Sequence, residues 1–86
     1  MTERMKKMMI EAMTDVRKRL RDVRKRREAL VEALAAGIIT DERSRELAYE
    51  RIAALEEEEI RLEDELADMM EFVAMNMGNK EVREDA

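Results

Sequence analysis

Apolar residues separated alternately by four and three positions recur in two long stretches of this chain, and one break, Gly37-Ile38-Ile39-Thr40, divides them. The first stretch places Met9, Met13, Val16, Leu20, Val23, Arg27, Leu30 and Leu34 on one stripe, and the second does the same for Ala48, Ile52, Leu55, Glu59, Leu62, Leu66, Met69 and Val73. A 3.5-residue period keeps a single face of a helix turned toward a partner helix. Each stretch therefore reads as a long helix with a seam, and each seam carries a single charge. Gly37 suits the left-handed conformation that ends a helix after Ala36, and Thr40 or Asp41 can accept hydrogen bonds from the N–H groups that open the next. Acidic Asp41 and Glu42 suit the positive end of that second helix. With no proline in 86 residues, nothing else interrupts the pattern. The expected fold is all-α: helix 1 over about 3–36, a turn at 37–40, helix 2 over about 41–77, and a flexible polar tail from Gly78 to Ala86. Residues 1–77 form one domain, because so short a turn makes the helices antiparallel neighbours in a two-helix coiled-coil hairpin.

Composition removes most enzymatic chemistry. The chain has no cysteine and no histidine, so it lacks a thiol nucleophile, an imidazole base, a disulfide framework and the usual zinc ligands. The acidic run Glu56 to Glu59 resembles no cation-binding loop, since neighbouring helical side chains diverge. Neither a cofactor nor a metal is expected, and the protein reads as a non-enzyme. Its apolar runs are too short for a membrane-spanning helix or a signal segment, which suggests a cytoplasmic protein.

Charge is divided unevenly. Residues 1–36 carry 11 basic and 6 acidic side chains, whereas residues 37–86 carry 6 basic and 16 acidic ones. The basic block Arg17 to Arg27 and the acidic block Glu56 to Glu71 fall opposite each other if facing positions in the two helices add to 82. Registers of 75 and 89 also satisfy the seam, but at 75 Arg26 would face Arg51. At 82 the seam layers include Leu20/Leu62 and Val16/Leu66, and four flanking pairs are expected: Arg24 with Glu56, Arg17 with Glu63, Arg26 with Glu58 and Arg19 with Glu65. Exposed pairs of this kind contribute only a few tenths of a kcal/mol and chiefly select register. Arg27 and Glu59, the two seam charges, lie in adjacent layers and are expected to meet, because a register slip would bury each alone.

Two features remain outside the seam. All nine methionines lie in the first 13 residues or between 69 and 77, and antiparallel pairing brings both groups to the open end. Met5, Met8, Met9, Ile10, Met70, Phe72 and Met77 should form an under-buried apolar cluster there, and flexible methionines suit adaptable contact surfaces. The second feature is a stripe on helix 2, Ala53, Ile60, Ala67 and Ala74, whose small side chains let another helix approach closely. A two-helix unit of this size is marginal alone. A homodimeric four-helix assembly is therefore expected, joined through either the methionine end or the alanine stripe.

The run ALAAGIITDE, followed by an amphipathic helix, is similar to the Gly-Ile-Ile-Thr turn of short bacterial C-terminal helical hairpin (SHOCT-like) domains, over about a third of the chain. Arg43 stands where those domains carry an aromatic residue after the turn, and no function is transferred. In plan the hairpin also looks like Rop-type dimeric bundles. The functional expectation is a protein–protein interaction module, an adaptor, assembly factor or inhibitor, working as a homodimeric hairpin. The alternative is a small nucleic-acid-associated regulator that uses the basic side chains of helix 1 left over by the pairing, Lys6, Lys7, Lys18, Arg21 and Lys25.

Overall fold

The computed structural model describes the backbone of residues 2–85 and the side chains of residues 2–76. Two helices make up the fold: α1, Glu3–Ala35, and α2, Glu42–Asp85. Thr2 opens α1, its Oγ1 accepting a hydrogen bond from the Met5 N–H at 3.2 Å. At the other end Ile38 N–H donates to Ala33 O at 3.0 Å and Gly37 N–H to Leu34 O at 3.2 Å. These two bonds form a Schellman closure, which requires a left-handed residue just past the cap. Gly37 supplies it, with φ +71°. Of the two capping candidates, Asp41 is the one used: its Oδ2 accepts from the Ser44 N–H at 3.1 Å and from the Ser44 hydroxyl at 3.2 Å.

The sequence ends α2 near Met77, but the helix bounds run past Gly78 to Asp85. A lone glycine costs a helix only about 1 kcal/mol relative to alanine, and without a following proline it does not force a stop. The flexible tail expected over 78–86 lies outside the residues whose side chains are described.

The two helices pack along their length as an antiparallel hairpin, 66 × 19 × 16 Å overall. All the predicted seam positions are buried or half-buried. The best-buried cluster is Val16, Leu20, Val23 and Leu62, with Leu55, Leu66 and Met69 packed against it. Lys6 and Asn76, one step further along each stripe, are also half-buried, so the open end of the seam closes on polar residues. Among the described residues no side chain falls below 2% exposure, because two helices leave every layer open on both sides.

Candidate interaction surfaces

The centre of the hairpin holds a four-residue charge cluster. Glu59, a seam residue whose side chain is 15% exposed, accepts from Arg24 Nε at 2.9 Å through Oε1 and from Arg27 Nε at 3.0 Å through Oε2. Arg24 also donates through a terminal nitrogen to Glu63 at 3.1 Å. The hydrogen bond from Arg24 is the main reason the Glu59 carboxyl sits below the usual carboxylate range, with the nearby Arg27 charge adding to it and partial burial opposing it. Arg24 is correspondingly held above its ordinary value, first by its bond to Glu59 and then by that to Glu63. The Arg27–Glu59 contact is the seam pair read from the sequence.

The flanking pairs differ from expectation. Arg24 reaches Glu59 and Glu63 rather than Glu56, and among the described residues Arg17, Arg19 and Arg26 make no interhelical ion pair. For Arg24 and Arg17 the reason is side-chain direction. A helical side chain leans toward its own N-terminus. In an antiparallel pair, Arg24 therefore leans toward higher numbers on α2, while Glu63 leans toward higher numbers on α1. They meet although their backbones are staggered. Arg24 and Glu56 would each have to lean the other way.

Two shallow grooves run along the hairpin, and their linings define its two faces. One is lined by Arg17, Leu20, Arg21, Arg24, Lys25, Glu28, Glu63, Leu66, Ala67 and Met70. Apart from its seam floor, Leu20 and Leu66, most of these residues come directly after a seam position. The other groove, with Arg26, Ala29, Arg51, Ala54 and Glu58 around Leu30 and Leu55, is built from residues directly before one.

This division separates the methionine-rich end into two surfaces. Met5, Met8, Phe72 and Met75 each precede a stripe position and belong to the second face, with exposures from 47% to 61%. Ile10 and Met70 follow one and belong to the first, as do the exposed Ala53, Ile60, Ala67 and Ala74. The single cluster expected from sequence is thus divided, because residues two apart at 3.6 per turn point to nearly opposite sides of a helix. Met9 is half-buried in the seam, and the Met77 side chain lies outside the described residues. Met75, which sequence reasoning did not place on an interface, is 61% exposed. Its position just before Asn76, on the continued stripe, was the available signal.

Among the described residues, no three His, Cys, Asp or Glu side chains are grouped to hold a metal ion, and no helix is long and apolar enough to cross a membrane. Compared with known proteins, the chain matches no family model, no curated protein and no solved structure. The likeness of ALAAGIITDE to a SHOCT-like turn therefore rests on the turn alone.

Proposed function

We propose that this is a cytoplasmic, non-enzymatic protein–protein interaction module that acts as a homodimeric helical hairpin and takes its partner on the methionine-rich face. The observation carrying this reading is the group Met5, Met8, Phe72 and Met75, four large apolar side chains on one face, all about half or more exposed. Soluble chains seldom leave such a patch uncovered. Unbranched thioether side chains reshape easily against varied apolar surfaces, which suits an adaptor better than a rigid pocket would.

The test is quantitative capture from the native host, with the wild-type chain and the variant M5S/M8S/F72S/M75S as baits. Proteins retained by the first and lost by the second, at unchanged helicity, support the reading; identical retention overturns it. One observation favours the nucleic-acid alternative: Arg17, Arg21 and Lys25 line one groove without an ion-pair partner among the described residues. Phosphate binding weakens steeply with salt. A mobility shift on duplex DNA that persists at low salt and vanishes as salt rises would therefore support that alternative.

A further inference from the structure

We infer that the face bearing the groove lined by Arg17, Arg21, Arg24 and Met70 is the homodimer interface, and that it packs against the same face of a second copy, so that α1 of each chain lies against α2 of the other. This deepens the homodimer part of the proposed function and rests on it.

Three observations support the assignment. The first is area. A compact monomer of 10.1 kDa exposes about 5,300 Å². This chain exposes 7139 Å². The excess reflects the elongated 66 × 19 × 16 Å shape and leaves room for the roughly 800 Å² per partner that a standard interface covers.

The second is the make-up of the face. Its floor is apolar, Leu20, Leu66 and Ala67, and α2 contributes to the same face the exposed Ile60 between Ala53 and Ala67. Small residues on either side of a larger one allow a second helix to come close.

The third is charge, and it selects the occupant. The lean of the side chains leaves Arg17 and Arg21 on α1 and Glu56 on α2 without ion-pair partners among the described residues, all directly after seam positions and so on this one face. A contact between α1 and α1, or between α2 and α2, would set like charges together, which costs affinity and argues against both. Placing α1 against the partner's α2 sets the unpaired Arg17 and Arg21 toward the unpaired Glu56 and toward Glu63, which keeps its bond to Arg24. A two-fold axis then repeats the contact, so two stretches of the interface gain from the same complementarity. The opposite face, with Met5, Met8, Phe72 and Met75, stays free for a different protein.

The test is a charge swap read by sedimentation equilibrium, with circular dichroism as the folding control. R17E/R21E and E56R/E63R should each weaken dimerisation at least about 30-fold, since both symmetric contacts become repulsive. Mixed in equal amounts, the two variants should recover a dimer close to wild-type affinity, because in the mixed dimer one contact is reversed on both sides and the other is wild-type. An unfolded variant could not be rescued in this way. A wild-type dimer whose affinity neither double variant changes would overturn the assignment while leaving the homodimer intact. Loss of dimer in M5S/M8S/F72S/M75S alone would move the interface to the opposite face. A wild-type chain that stays monomeric at 100-fold dilution and at the highest soluble concentration alike would overturn both this inference and the homodimer reading.

Discussion

The middle of the hairpin and its open end follow the same heptad, yet they bury their seams to different degrees. Around Val16, Leu20, Val23 and Leu62 the seam side chains fall to about 5% exposure. Toward the open end Met9, Met13, Met69 and Val73 are only half-buried, and the stripe closes on Lys6 and Asn76. The seam itself changes, from valine and leucine in the middle to methionines and then Lys6 and Asn76 at the open end, and so do its flanks. In the middle, Arg24 crosses from α1 to Glu59 and Glu63 on α2, and the stem of so long a side chain can cover apolar surface while its head stays in water. At the open end the flanks are methionines and Phe72, which turn outward on two faces and have no charge partner to draw them across.

The largest effect that would test this contrast is truncation in the seam. Leu20→Ala should cost about 2–4 kcal/mol, because it opens a gap in the one cluster with neighbours on several sides. Met9→Ala, in a half-wet layer, should cost less than about half of that. Denaturant melts of the two variants would check it, and equal losses would remove the distinction between the regions.

An intermediate effect is expected at the charge cluster. Glu59→Leu should destabilise by about 1–2 kcal/mol, since Arg27 loses its partner in a partly buried position and Arg24 loses its shorter bond. Adding Arg27→Leu should return part of that loss, giving a non-additive cycle. The effect has a pH signature. Because the folded-state pKa of Glu59 is depressed, its contribution is complete above the ordinary carboxylate range and is lost as pH falls through the depressed value. The stability gap between wild type and Glu59→Gln should therefore be widest near neutrality and close in acid. A gap that is constant across that range would mean that the carboxylate charge is irrelevant.

The smallest stability effect should come from the most apolar-looking surface. Met8→Ser with Met75→Ser should change the monomer's stability by no more than about 0.5 kcal/mol, as both side chains are 61% exposed. A loss of 2 kcal/mol or more in a monomeric sample would show that these side chains complete the core rather than face a partner.

Much of this architecture was legible in the linear pattern. The heptad located sixteen seam positions, Gly37 with Thr40 or Asp41 located the turn, and the two seam charges at Arg27 and Glu59 indicated their own contact. Each of these depends on local backbone chemistry or on a fixed helical period, and neither changes when the helices dock. The flanking pairs were not legible, because position numbers describe where backbones face each other, while side chains lean toward the N-terminus of their own helix. That lean sends Arg24 to Glu63 instead of Glu56 and leaves Arg17 uncommitted. Nor was the division of the methionines legible, since closeness in sequence and at one end of a hairpin says nothing about face. Periodicity and capping residues alone were thus enough to specify a helical hairpin, its turn and its seam. Only the packed helices decided which charges are satisfied within the chain and which apolar side chains share a surface, because both depend on the direction of side chains across an interface that no single helix contains.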